Sequence, residues 1–119
     1  MDNFNRNNRF TAVSDELGEK CELLFFEFLR GFTENEVPKY FRCAEKLRDA
    51  DKNSLYVDFV DIEKYDPVLS SSIQSNYYRV MKHLNNAAKK LCAEATRIPA
   101  SKEIYVSIRN VPVRYKFSL

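Results

Sequence analysis

Leu55-Tyr56-Val57-Asp58-Phe59-Val60-Asp61 and Ile104-Tyr105-Val106-Ser107-Ile108-Arg109-Asn110-Val111-Pro112-Val113-Arg114 are segments of the same make, set on either side of a long helical pattern. In the first, Leu55, Val57 and Phe59 alternate with Tyr56, Asp58 and Val60; in the second, Ile104, Val106 and Ile108 alternate with Tyr105, Ser107 and Arg109. A period of two marks a strand with one buried face. Two strands alone make a marginal sheet, so these must pack on helices or be completed by strands of another domain. A crossover of about 40 residues permits a parallel pair, and direction stays open. The second segment meets Pro112 and Arg114 without a closing turn and reads as the lead-in to a further domain.

Working outward, the helical patterns dominate. Ser14 is placed to cap a first helix, with Asp15 and Glu16 suited to the positive end of its dipole. Leu17, Cys21, Leu24, Phe25, Phe28, Leu29 and Phe32 then form one apolar stripe, and Gly31 offers a C-cap. The acidic stretch 33–37 reads as a loop. Pro38 opens a second, short helix that carries Tyr40, Cys43, Ala44 and Leu47 on one face. Residues 49–53 read as a loop, and 61–65 as a single helical turn capped by Asp61. Asp66-Pro67 starts a long helix with Leu69, Ile73, Tyr77, Val80, Leu84, Ala87 or Ala88, and Leu91 at helical spacing, which unbroken to Ala95 would span roughly 40 Å. Pro99 breaks it. The fold class is therefore mostly α with a small β component, a bundle of three to four helices with two short strands. Residues 1–12 form a flexible polar arm and 13–119 a single domain.

At 119 residues the chain fits one domain, and with 45% hydrophobic and 30% charged residues its composition is ordinary for a globular protein. No window approaches the ~18 apolar residues of a membrane span. The Asn-rich start lacks the apolar core of a secretory signal. Cys21, Cys43 and Cys92 are odd in number and widely spaced, which argues for reduced thiols rather than a disulfide framework or a zinc site. Net charge is only +2, but it is polarised. Seven acids and two bases lie between Val13 and Glu36, whereas nine bases and two acids lie between Asn76 and Leu119.

No enzyme site emerges from the residues. Gly18 and Gly31, the two glycines, both belong to the first helix, so no loop can cradle phosphate. His83, the one histidine, has no nucleophile at a recognisable spacing and reads as an ordinary surface or boundary residue. Glu19 and Glu22 belong to the polar face of an amphipathic helix, where charge serves solubility. The basic residues Arg79, Lys82, Lys89, Lys90 and Arg97 are the candidate contact surface for a partner or nucleic acid. They are also placed to answer the acids of the first helix within the fold, the more ordinary role for charge on a long helix.

The segments also resemble a known family. Asp15-Glu16 with Lys20-Cys21, Leu24-Phe25 and Phe28-Leu29, then Tyr40, Ala44 and Leu47, then residues 54–63 are similar to the N-terminal helical subdomain of minichromosome maintenance (MCM) helicase subunits. Ile73, Tyr77-Tyr78-Arg79-Val80 and Leu84, followed by Tyr105-Val106, Pro112, Arg114 and Lys116, look most like the subunit-six branch of the eukaryotic heterohexamer. No single motif is diagnostic; the order and spacing of several carry the likeness over 13–116.

The resemblance implies a non-catalytic structural and interaction module of a replicative helicase subunit whose parent function is replication licensing and DNA unwinding. It implies partners among the other MCM subunits of a hetero-hexameric ring and among loading factors, a nuclear location with a cytoplasmic pool, and DNA contact that is mainly indirect. The OB-fold, the zinc-binding insertion and the ATPase domain of the family have no counterpart here. No catalytic, metal or cofactor residue therefore carries over. Arg109, Val111, Val113, Arg114 and Phe117 are the candidates for docking on a following domain, because the apolar ones are hard for a lone module to cover. The acidic face of the first helix (Asp15, Glu16, Glu19 and Glu22) is a further candidate surface. The rival reading is a free-standing basic nucleic-acid-binding protein that uses its C-terminal basic face.

Overall fold

The computed structural model describes residues 2–47, 53–96 and 103–112, with backbone alone before Glu16. Among them, nine elements follow in the order α1 (Asp2–Gly31), β1 (Thr33–Glu34), β2 (Val37–Pro38), α2 (Lys39–Lys46), β3 (Ser54–Asp58), α3 (Phe59–Tyr65), α4 (Pro67–Ser75), α5 (Tyr77–Thr96) and β4 (Tyr105–Arg109). The fold is mostly helical with a small β component, as the periodicities require. Helices number five because residues 59–65 form a helix of their own and the long helix is divided.

The apolar stripe of α1 supplies Cys21, Phe25, Phe28 and Leu29 to the core, with Leu17, Leu24 and Phe32 packed against it. From α2 come Tyr40 and Ala44, followed by Leu47; from α4, Leu69 and Ile73; from α5, Val80, Leu84, Ala87, Ala88 and Leu91. Each set lies at the helical spacing read from the sequence. Phe28 is the aromatic hub, its ring centroid 5.3 Å from Tyr40, 5.4 Å from Phe32, 5.4 Å from Tyr65 and 5.8 Å from Phe25.

The helix expected from Ser14 starts at Asp2, so Ser14 lies within α1 rather than at its cap. Gly31 is the last helical residue but does not take positive φ, and therefore supplies no left-handed cap. The stretch read as a loop at 33–37 is a small antiparallel hairpin, with Thr33 opposite Pro38 and Glu34 opposite Val37. Its turn places Asn35 at φ 55 and Glu36 at φ 65. Positive φ at both central residues matches the twist of a tight hairpin, and Asn favours it, but the Asn-Gly signature is missing. That is why the turn was not legible.

The first strand is shorter than its alternation suggested. It ends at Asp58, whose side chain accepts a hydrogen bond from the Val60 amide at 2.9 Å and caps α3. Asp61, expected to be the cap, lies inside α3 and is buried. Phe59 reaches the core from a helix rather than from a strand. Asp66 caps α4 as expected, accepting from Val68 and Leu69 at 3.0 and 3.1 Å, with Pro67 at the first helical position.

The long helix breaks at Asn76, where φ is −132° and ψ 32°. Both the Asn76 amide and its Nδ2 donate to the Ser72 carbonyl at 3.1 Å, and its own carbonyl accepts from Val80 at 3.0 Å. Ser70, Ser71, Ser72, Ser75 and Asn76 are weak helix formers that compete for backbone groups, so the interruption falls where propensity is lowest. The apolar set continues across it, with Leu69 and Ile73 before the break and Val80 and Leu84 after it in one core.

β3 and β4 pair with each other and run parallel, with Leu55 opposite Val106 and Val57 opposite Ile108 on the inner face. Ser54, Tyr56 and Asp58 face Tyr105, Ser107 and Arg109 on the outer one. Each outer edge is plugged by a side chain. Asn85 Oδ1 accepts from the Val106 amide at 2.8 Å, and Tyr40 Oη from the Asp58 amide at 3.0 Å. An edge without such plugs is a template for unwanted pairing. β4 stops short of the expected Arg114: Asn110 takes φ 63 and turns the chain, and its Nδ2 donates to Asp58 Oδ2 at 3.1 Å. Residues 49–52 of the expected loop, Pro99, and Val113 and Arg114 lie outside the described residues.

Replacing Glu36 by Gly should raise the urea midpoint by an amount equivalent to about 0.5–1 kcal/mol, because glycine takes positive φ without steric cost. Asp66→Ala should lower stability by about 1 kcal/mol through loss of the cap.

Candidate functional site

Among the described residues, two clusters of ionisable side chains join one helix to another. The first lies where α2 meets α3. Tyr40 Oη donates to Asp61 Oδ2 at 2.6 Å, and Lys39 Nζ donates to the same oxygen at 2.7 Å and lies 2.9 Å from Glu34. Burial alone would raise the Asp61 carboxyl, but the hydrogen bonds from Lys39 and Tyr40 outweigh it and hold its pKa below the usual carboxylate range. Burial, reinforced by the bond to Asp61, pushes the Tyr40 phenol above its ordinary value. Hydrogen bonds to Asp61 and Glu34 do the same for Lys39. Two donors thus converge on one carboxylate oxygen and tie α2 to α3.

The second lies on the seam between α1 and α5. These helices run parallel, since their contacts advance together: Gly18 meets His83, Glu22 meets His83 and Lys90, and Arg30 meets Glu94 at 3.0 Å. At Gly18 a Cβ would fall inside the contact distance of the His83 ring. Glycine is needed there for close approach, at the cost of helix propensity. His83 is buried, contrary to the reading as a surface or boundary residue, because α5 turns it into the space that Gly18 leaves. Its Nδ1 lies 2.9 Å from Glu22 Oε1, and Lys90 Nζ donates to Glu22 Oε2 at 2.6 Å. Glu22 is thus a bridge between helices, not a solubilising charge. Burial tends to raise its carboxyl, but the hydrogen bonds from Lys90 and His83 hold it below the usual range.

The expected partner surface is therefore partly engaged within the fold. Lys90 meets Glu22 of α1, and Lys89 meets Glu103 at 3.0 Å. Arg79 and Lys82 are exposed on α5, while Arg97 lies outside the described residues. On α1, Glu16 and Glu19 are exposed, and the side chain of Asp15 lies outside the described residues. Of the residues assigned to docking on a following domain, Arg109 sits with its guanidinium 4.3 Å from the Tyr56 ring centroid and Val111 is packed partly buried against the core. Val113, Arg114 and Phe117 lie outside the described residues.

Among the described residues, no group of three or more His, Cys, Asp and Glu side chains is placed to hold a metal ion, and no helix is long and apolar enough to cross a membrane. Cys21 and Cys92 are buried and Cys43 is half-buried, none of them in a disulfide. The Gly18, Glu22 and His83 constellation escaped sequence reading. Its only sequence signal was a glycine placed mid-helix, where it costs ~1 kcal/mol relative to Ala without a local reason.

Residues 22–110 match the model of the MCM N-terminal domain family. The chain is 38% identical over 104 residues to the DNA replication licensing factor Mcm6 of Anopheles gambiae, covering 87% of this chain and 13% of that protein. It is 41% identical over 103 residues to the maternal DNA replication licensing factor mcm6 of Xenopus tropicalis, covering 86% and 12%. Against the Drosophila melanogaster DNA replication licensing factor Mcm6 it is 35% identical over 104 residues, covering 87% and 13%. The chain thus spans about an eighth of the length of these relatives.

Gly18→Ala should destabilise the fold although alanine gains about 1 kcal/mol in helix propensity, because overpacking against the pinned His83 ring costs about 1–3 kcal/mol. In a His83→Ala background the same change should stabilise it, a reversal of sign that urea denaturation of the four variants would read. Glu22 and Asp61 have lowered pKa values in the fold. Their contribution is therefore complete above the unfolded carboxylate values near 4 and is lost as pH falls through the lower folded ones. Stability should drop below about pH 4, less steeply in Glu22→Gln.

Proposed function

Because this chain belongs to the MCM N-terminal domain family, we propose that it acts as a non-catalytic structural and interaction module of a replicative MCM helicase subunit. Its part in replication licensing and DNA unwinding is exercised through contacts, not chemistry. The observation that carries this reading is the family match over 22–110, supported by identities of 35–41% to the Mcm6 proteins named above. The geometry agrees in kind: the two ionisable clusters join one secondary-structure element to another and hold shape.

On this reading the partners are the other subunits of a hetero-hexameric MCM ring, together with loading factors, and the working location is the nucleus, with a cytoplasmic pool. DNA contact is indirect. Residues 1–12 serve as a polar arm and the body from residue 13 as the module. Arg109, Val111, Val113, Arg114 and Phe117 are the residues for docking on a following domain; of these, Arg109 lies on the outer sheet face, which also exposes Tyr56 and Tyr105. Arg79, Lys82, Lys89, Lys90 and Arg97 form a partner-facing surface in which Lys89 and Lys90 also hold the fold.

Pairwise co-expression of the tagged chain with each of the other MCM subunits should recover at least one stable pair; recovery of none would sink the reading. In a DNA titration the chain should show a log-log salt slope shallower than about −2, whereas the rival nucleic-acid reading requires about −4 or steeper. Lys89→Gln with Lys90→Gln should lower the thermal midpoint and leave DNA affinity unchanged.

A further inference from the structure

The seam between α1 and α5 opens on one side into a groove lined by Glu19, Glu22, Leu23, Phe26, His83 and Lys90. Leu23 is 59% exposed at its lip and Phe26 is half-buried in its wall. An isolated exposed leucine is ordinary; a leucine beside a phenylalanine in a groove between parallel helices is a seat for an apolar side chain. The Arg30–Glu94 ion pair lies further along the same seam.

Charge decides what fits. Lys90 is neutralised by Glu22, and Arg30 by Glu94. Glu19 lies one turn before Leu23, Glu27 one turn after it and Glu16 two turns before. All three are exposed and enter none of the described ion pairs. Lys20, also exposed and one turn before Leu23, offsets one of these charges. The groove is thus apolar at its centre and net negative at its α1 rim.

We propose that the groove between α1 and α5 is a docking site for a basic amphipathic helix of a partner protein, with one apolar side chain seated between Leu23 and Phe26 and Lys or Arg side chains meeting Glu16, Glu19 and Glu27. A helix in a groove supplies apolar anchors at one-turn spacing, and its flanking charges select among partners. The proposal is independent of the MCM reading, since any basic helix of this pattern would satisfy it.

The test is fluorescence anisotropy of the 119-residue chain with three labelled helical peptides: a leucine stripe with lysine flanks, the same stripe with glutamate flanks, and lysine flanks with the stripe changed to serine. The first should bind, and the other two should bind at least tenfold more weakly. Leu23→Ser should weaken the first at least tenfold, and Glu19→Lys combined with Glu27→Lys should do the same, with circular dichroism unchanged because all three side chains are exposed. Binding indifferent to Leu23→Ser would reduce the effect to charge alone and overturn the docking site. Equal binding of the glutamate-flanked peptide, no binding at millimolar peptide, or Leu23-dependent self-association in sedimentation would each overturn the proposed occupant.

Discussion

Asp61 is a carboxylate removed from water, and much of the fold is arranged so that it can stay ionised there. Lys39 and Tyr40 both reach one of its oxygens, from adjacent positions at the start of α2. Leaving such a group uncompensated would cost several kcal/mol, so α2 and α3 are held in one relative position. The same Tyr40 hydroxyl accepts from the Asp58 amide at the end of β3, while its ring packs on Phe28 of α1. One residue thereby couples the aromatic hub, the carboxylate, the strand edge and the helix that follows it.

The α1–α5 seam is the complementary constraint. Gly18 lets the helices approach, His83 fills the space, and Glu22 meets both His83 and Lys90 of α5. The parallel run of these helices brings acidic α1 beside basic α5, so part of the chain's charge polarity is spent internally. What remains outward differs in sign between the two helices. Glu16, Glu19 and Glu27 stay exposed on α1 beside Lys20, and Arg79 and Lys82 stay exposed on α5. The surfaces open to partners follow from this remainder rather than from the totals.

Much of the fold was legible in the sequence because helix faces obey local rules. The stripe from Leu17 to Phe32, the α2 set around Tyr40, the residues from Leu69 to Leu91 and the Asp66-Pro67 start all appear where periodicity and capping put them. The failures were also local in origin. Ser14 looked like a cap because its neighbours are acidic, yet the helix continues through it. Phe59 continued an alternating pattern, although Asp58 had already capped a helix. Asn76 broke a periodic stripe whose apolar set continues beyond the break. Of the candidate site, the basic residues of α5 were legible as charges, but not as the partners of Glu22 and Glu103.

The sequence by itself determined which faces are apolar, where the strands lie and which family the chain resembles, because each depends on spacing along a few turns or on segment order. Only the tertiary structure decided that β3 and β4 run parallel, that Gly18 makes room for His83, and that Asp61 is a buried bridge and not a cap. Those outcomes join residues 22 and 61 positions apart, as in Lys39 with Asp61 and Glu22 with His83. A hydrogen bond depends on distances of a few tenths of an ångström. Separations of that size are set by how helices cross and pack, which no local pattern records.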